Sequence, residues 1–134
     1  MQQIDAKIEA KLNQAYVIWF TTVRPDGMPQ PTPVWFIWEN GTFLIYSQPN
    51  AQKLRNIRNN PKVALNLNTD EEGGEYLVIM GDAAIDVSHP PSNKVAAYAE
   101  KYRQGTQDIG YTPETLAQTF SVAIRVRPTV IRSQ

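Results

Sequence analysis

Residues 46–60, YSQPNAQKLRNIRNN, carry Lys53, Arg55 and Arg58 and no acid. The pattern predicts a helix capped by Asn50, running through Asn59 and stopped by Pro61. Three cations beginning in the first turn oppose the positive end of the helix dipole, at roughly a few tenths of a kcal/mol each. An anion at the helix start would reverse that penalty. Backbone amides, the Lys53 ammonium and the Ser47 hydroxyl at the preceding strand end can converge on one phosphate. Leu54 and Ile57 define the buried stripe, with Lys53 on one flank and Arg55 on the other, so the two cations do not grip the same oxygen. Lys53, in the first turn, ranks first as the phosphate ligand, and Arg55 is left for another part of the ligand or for a partner subunit. The same charges also suit an ordinary solvated face, and spacing alone leaves both readings open.

A second informative segment is PTPVWF, residues 31–36. Pro31 and Pro33 lack ladder donors, which places this stretch at an edge, a bulge or a ligand-facing rim. Carbonyls without neighbouring donors, next to Trp35, suit a flat heteroaromatic ring that needs both hydrogen bonds and apolar cover. A plain edge strand protected by proline is the alternative. Trp19, Trp35 and Trp38 are candidates for core or interface positions.

Other reactive residue types exclude more than they suggest. His89 is the sole histidine and sits in SHPP, a context that predicts a surface side chain rather than a ligand or general base. Ser47, Ser88 and Ser121 have no Gly-x-Ser-x-Gly setting and no histidine partner, so a hydrolase triad finds no support. Asp70, Glu71, Glu72 and Glu75 cluster without a nearby histidine and read as a solvated tip, not a transition-metal site. No Gly-x-Gly-x-x-Gly or Walker loop is present. Any redox or transfer chemistry must therefore come from a cofactor.

The elements that must position these residues follow from periodicity. Ile4, Ile8 and Leu12 predict a short amphipathic helix packed as a lid. AYVIWFTTV (15–23) and QPTPVWFIW (30–38) read as strands joined by the turn Arg24-Pro25-Asp26-Gly27, and Asn40-Gly41 turns the chain into a third strand, TFLIYS. KVALNLN follows as a fourth strand, and EYLVIMGDAAIDV as a long fifth with a bulge expected at Gly81. Pro90-Pro91 introduces a helix over about residues 92–103, with Val95, Tyr98, Ala99 and Tyr102 on one face. A loop with Gly105 and Gly110 comes next, then a helical turn from Thr112-Pro113-Glu114 and a final strand, FSVAIRVRPTVI. The expectation is a mainly β (α+β) fold: a six-stranded antiparallel split barrel with short flanking helices, as one domain over residues 1–134.

Composition narrows the partners. Thirteen basic and thirteen acidic residues give a formal net charge of zero, so no electrostatic footprint favours nucleic acid. The absence of cysteine removes disulfides and thiolate chemistry and fits a reducing compartment, the cytoplasm by default. Residues 1–13 lack the apolar core of a signal peptide or anchor, and charged or polar residues interrupt every apolar run short of about 18 residues, which predicts no membrane span.

In order and spacing, TTVRPDGMPQPTPVWF, TFLIYSQPNAQKLRNIRNNPKVALNL and EYLVIMGDAAI resemble the pyridoxamine-5′-phosphate-oxidase-like superfamily of FMN-binding split barrels. The likeness is greatest to its short members, described as F420 (deazaflavin)-dependent, and it extends from about Tyr16 to Pro128. It implies ring contact at Thr32, Pro33, Val34 and Trp35, and phosphate contact at Tyr46, Ser47, Gln52 and Lys53. It implies FMN, or alternatively F420, as cofactor and a homodimer with two sites at the interface, completed across the axis by residues such as Arg125, Arg127 or those of the Glu75 strand. The implied activity is hydride transfer to or from a small organic substrate; the alternative is a non-catalytic, stress-related protein that stores or senses cofactor. Gln52 stands where the true oxidases often have arginine, and Glu75 near a position where they often have glutamine. The sequence also ends soon after Arg127, so vitamin B6 oxidation is not carried over. Haem-binding members share the barrel, but here only His89 offers an imidazole.

Overall fold

The computed structural model describes residues 4–134. Helix α1 (Ala6–Gln14) starts at Asp5, whose carboxylate accepts from the Ile8 amide at 2.8 Å, and buries Ile8 and Leu12 against the core with Ile4 packed beside them. Strands β1 (Ile18–Val23) and β2 (Pro29–Val34) form the first hairpin, turned at Gly27 with φ of 90°. Strands β3 (Ile37–Glu39) and β4 (Thr42–Ser47) form the second, through Asn40 (φ 52°) and Gly41 (φ 76°), the pair of positive angles that a tight primed turn requires. Helix α2 (Gln52–Asn59), strand β5 (Lys62–Asn66) and strand β6 (Leu77–Ile85) follow. Helices α3 (Ala96–Lys101), α4 (Arg103–Asp108) and α5 (Pro113–Thr119) then lead to strand β7 (Val122–Ser133).

The sheet is antiparallel, in the order β2-β1-β5-β6-β7-β4-β3, and has seven strands where the sequence predicts six. The difference arises at Trp35 and Phe36. The run 30–38 reads as one strand but divides into β2 and β3, which lie at opposite ends of the strand order. In a flat sheet of seven strands those edges would stand about 29 Å apart. Val34 and Ile37 are separated by three Cα steps, about 11 Å at most. The sheet therefore curls until its two edges meet, which makes a split barrel. The Phe36 backbone in the gap has no ladder partner and is satisfied by side chains instead. Its N–H donates to the Tyr102 hydroxyl at 2.8 Å, and its carbonyl accepts from Tyr102 (2.8 Å) and Lys101 Nζ (3.0 Å).

Curling is assisted at Gly81, where the β6/β7 register shifts between Met80 and Gly81 as the sequence predicts. A Cβ there would run into the Arg127 carbonyl. Strand β4 is buried on both faces. Phe43 and Ile45 point into the barrel with Phe20, Leu65, Ile79 and Ile124, while Leu44 and Tyr46 pack with Tyr98, Tyr102 and Leu116 from the helices.

Two predicted helices differ in detail. No side chain caps α2: Ala51, not Asn50, holds the cap position, and the Asn50 carbonyl accepts from Arg55 at 3.0 Å instead. The helix expected over 92–103 is a 3-10 turn at Ser92–Lys94 followed by α3, and α4 carries the chain through Gly105, predicted as loop. Thr106 Oγ1 donates to the Tyr102 carbonyl at 2.6 Å, the local bond that bends helices, and the bend falls between α3 and α4. Gly105 sits in this helix against Tyr16, where a Cβ would overlap the tyrosine hydroxyl.

Candidate functional site

A cavity of about 440 Å³ opens beside the gap between the barrel edges. Pro33, Val34 and Trp35 form one wall, from the end of β2 and the crossing. Tyr46 and Ser47 come from the end of β4, and Gln48, Ala51 and Lys53 from the loop and first turn that follow. Val17, Tyr98, Ile109, Leu116 and Phe120 complete the lining. The wall is thus largely apolar and aromatic, with hydroxyl, amide and ammonium groups around the start of α2, a combination suited to a flat apolar ring with an anionic tail.

Of the nine residues predicted from sequence, Pro33, Val34, Trp35, Tyr46, Ser47 and Lys53 meet on this one cavity, and Thr32, Gln52 and Arg55 lie off its lining. The Thr32 hydroxyl is buried without a hydrogen-bond partner, one residue from the wall. Gln52 is spent within its helix: its carbonyl accepts from Arg55 Nε (3.1 Å) and Nη2 (2.6 Å), and its amide donates to Asn56 at 2.9 Å. Arg55 is exposed and bound to Gln52 and Asn50.

Lys53 is partly buried and, among the described residues, has no hydrogen-bond or ion-pair partner. Burial alone lowers the pKa of its ammonium from the usual lysine value. Ser47 is 2% exposed, and its hydroxyl donates to the Gln48 carbonyl at 3.0 Å. The Trp35 ring stacks on Tyr102, with centroids 4.4 Å apart and planes at 5°, and meets Tyr16 edge-on at 5.8 Å. Its orientation is therefore fixed before any ligand arrives.

A second polar group touches the cavity through Tyr46. Its hydroxyl donates to the Pro90 carbonyl at 2.6 Å and lies 3.2 Å from His89 Nδ1. His89 Nε2 accepts from Arg125, which also donates to Glu39 (3.0 Å) and to Thr42 (3.1 Å). Nδ1 then carries the ring proton and faces the Pro90 carbonyl at 3.1 Å. Burial, with Glu39 and Asp86 adding to it and Arg125 opposing, pushes the Tyr46 phenol up to about 12, so it stays protonated. The sequence predicts a surface histidine; the structure gives a half-buried one, held on both nitrogens. Arg125, expected to reach across a dimer axis, is engaged within its own chain, and Arg127 pairs with Asp82 at 3.3 Å.

Sequence reasoning also missed the helical wall. The shared face of Tyr98 and Tyr102 was visible as helical spacing, but nothing local indicates that it lies over the outer side of β4. Among the described residues, no group of three or more His, Cys, Asp or Glu is arranged to hold a metal ion, and no helix is long and apolar enough to cross a membrane.

This fold defines a class, the antiparallel split barrels, and comparison with known proteins agrees. The sequence profile of the pyridoxamine 5′-phosphate oxidase family matches residues 4–133. The chain belongs to that family. It is similar to a solved F420 reductase, with 29% identity over 98% of this chain and 100% of that one and a TM-score of 0.74. It also resembles the heme storage protein HutZ of Vibrio cholerae (16% identity, 98% and 95% coverage, TM-score 0.68) and General Stress Protein 26 of Bacillus anthracis (21%, 92% and 88%, 0.67). At those identities the last two likenesses concern the fold alone. No curated protein matches the chain.

Proposed function

We propose that the protein is an oxidoreductase that uses FMN, or alternatively the deazaflavin F420, to move a hydride to or from a small organic substrate, and that it works as a homodimer. The observation that carries this reading is Lys53: a partly buried ammonium without a partner, at the polar end of an aromatic-walled cavity. A buried cation is costly unless paired, and a phosphate is the pair that the start of α2 favours. The buried, unpartnered Thr32 hydroxyl beside the same wall supports the fit.

FMN or F420, when bound, supplies the ring that accepts and donates hydride. Lys53 holds the phosphate with the amides at the start of α2, and Ser47 joins them when its hydroxyl turns from the Gln48 carbonyl to the anion. Pro33, Val34 and Trp35 back the ring, and Tyr102 keeps Trp35 in register. Val17, Ile109, Leu116 and Phe120 exclude water. Tyr46 keeps its proton, directed at Pro90. Val17 and Ile109, on the cavity rim, are 42% and 53% exposed, and Trp19 and Met80 stand exposed on the outer face of the sheet. Such apolar surface favours a second copy of the chain as its cover. A reducing compartment such as the cytoplasm fits the cysteine-free sequence.

One observation favours a storage or sensing role instead: among the described residues Lys53 is the single charged side chain on the wall, and the Tyr46 proton is already committed. Haem ligation draws less support, because both His89 nitrogens are engaged.

Titration with FMN and with F420, followed by the fluorescence of each, tests the reading; saturable micromolar binding of one is expected, and binding of neither overturns it. Reduced cofactor mixed with a panel of acceptors separates the two roles. Acceleration by the protein supports the enzyme, and indifference across the panel supports storage.

A further inference from the structure

Asn56 is fully buried yet touches no part of the cavity. Its amide is satisfied from three sides. Nδ2 donates to Thr22 on β1 and to Gln30 on β2, both at 2.9 Å, and Oδ1 accepts from Gln52 at 2.9 Å. Gln52 in turn accepts from Arg55, so a chain of polar contacts runs from solvent through α2 to the proline-bearing edge of the barrel. A satisfied buried amide adds little net stability over an apolar group of its size. What it adds is direction.

Direction matters here because of where Lys53 lies. At about 100° per residue, Asn56 and Ile57 bracket Lys53 around the helix axis one turn further on. Helix α2 has eight residues and only two apolar anchors, Leu54 and Ile57. Apolar contacts are non-directional, so two of them leave the roll of a short helix loosely set. A roll of about 20° would carry an amine lying roughly 8 Å from the axis through about 3 Å, the difference between a hydrogen bond and none.

We propose that Asn56 is a positioning residue: its bonds to Thr22 and Gln30 fix the roll of α2, aim the Lys53 ammonium into the cavity, and so set the preference for a phosphorylated cofactor over its phosphate-free form. This rests on the reading of Lys53 as the phosphate ligand.

The test measures affinity for FMN and riboflavin, or for F420 and its phosphate-free deazaflavin alcohol if F420 is the ligand. Wild type is compared with Lys53→Ala, Asn56→Leu, Thr22→Val and the Asn56→Leu/Lys53→Ala double variant. Asn56→Leu is expected to weaken the phosphorylated ligand roughly five- to fiftyfold while leaving the phosphate-free one within about twofold, and to add nothing once Lys53 is gone. Thr22→Val removes one anchor without altering α2 and should fall between wild type and Asn56→Leu; it carries the test if Asn56→Leu does not fold. Equal losses for both ligands would mark a merely structural residue and overturn the proposal, as would an unchanged phosphate preference. If Lys53→Ala itself keeps the preference, the phosphate reading falls and this inference with it. If only Lys53→Ala loses it, the reading stands and the role of Asn56 alone is overturned.

Discussion

Tyr46 and Lys53 line the same cavity but belong to polar groups in different states. Behind Tyr46, the Pro90 carbonyl, His89, Arg125 and Glu39 satisfy one another. Around Lys53, among the described residues, nothing does. Both regions bury polar atoms at comparable depth, so burial alone does not separate a structural group from a binding one. Completion does: a group finished within the chain can hold the wall in shape, whereas an unfinished one retains free energy that only a ligand can recover. The two regions should therefore answer substitution in opposite ways.

The largest effect is expected at the unfinished one. Lys53→Ala should weaken binding of the phosphorylated cofactor by about 1.5 to 3 kcal/mol, the range for a charge-assisted contact. The melting temperature of the ligand-free protein should stay level or rise, because a poorly solvated amine is removed. Fluorescence titration beside a thermal melt reads both quantities. A fall in melting temperature with unchanged affinity would reverse the assignment.

The finished group should behave the other way. Arg125→Met leaves the partly buried Glu39 carboxylate and the His89 nitrogen without their donor. A loss of about 1 to 2 kcal/mol of stability is expected from denaturant unfolding, with cofactor affinity changed less than about twofold. A large affinity loss at constant stability would show that Arg125 serves the ligand directly, and the contrast would fail.

How much of this was legible in the sequence follows the same division. That Ser47 and Lys53 would lie together was legible because the signal is local: a helix start next to a strand end. The hairpins at Gly27 and Asn40-Gly41 and the bulge at Gly81 were legible for the same reason, since each is a backbone requirement written in one or two residues. The Tyr46 region was not. His89 and Arg125 stand 36 residues apart, and Glu39 lies further still, so the surface reading of SHPP had nothing local to contradict it. The seventh strand escaped because VWFIW carries no turn residue; what divides it is the meeting of two barrel edges, stabilised by Tyr102, 66 residues away. The break between α3 and α4 falls at the local Thr106–Tyr102 bond, but the Tyr16 side chain packed on Gly105 comes from the far end of the chain and no helical wheel contains it.

Arg55 tests how finely completion discriminates. It shares a helix with Lys53, but Gln52 and Asn50 already take its donors. Arg55→Met should thus change FMN affinity by about 0.5 kcal/mol or less, as an exposed side chain with local partners. A loss as large as that of Lys53→Ala would place a second anion, such as an acidic cofactor tail, over the exposed side of α2, and would favour F420 over FMN.

The smallest effect distinguishes Lys53 from Lys101, another partly buried lysine, by pH. Burial depresses both, and Lys101 is pushed down to about 8. A lysine whose folded pKa lies below its unfolded value binds fewer protons folded than unfolded, so its contribution to stability rises as pH climbs through that interval. For Lys101 the interval runs from about 8 to 10.5, and the ligand-free protein should gain stability across it; Lys101→Met should flatten part of the rise. Lys101 already donates to the Phe36 carbonyl and lies 4.0 Å from the Phe36 ring, so a cofactor should leave its behaviour unchanged. An anion beside Lys53, in contrast, restores the charged form. Cofactor binding should then take up a proton at alkaline pH, and affinity should fall as pH passes the lowered pKa of Lys53. Calorimetric titration in two buffers of different ionisation heat measures that uptake. An identical alkaline slope in Lys53→Ala would mean that another group titrates, and the distinction between a finished and an unfinished cation would have to be drawn elsewhere on the cavity wall.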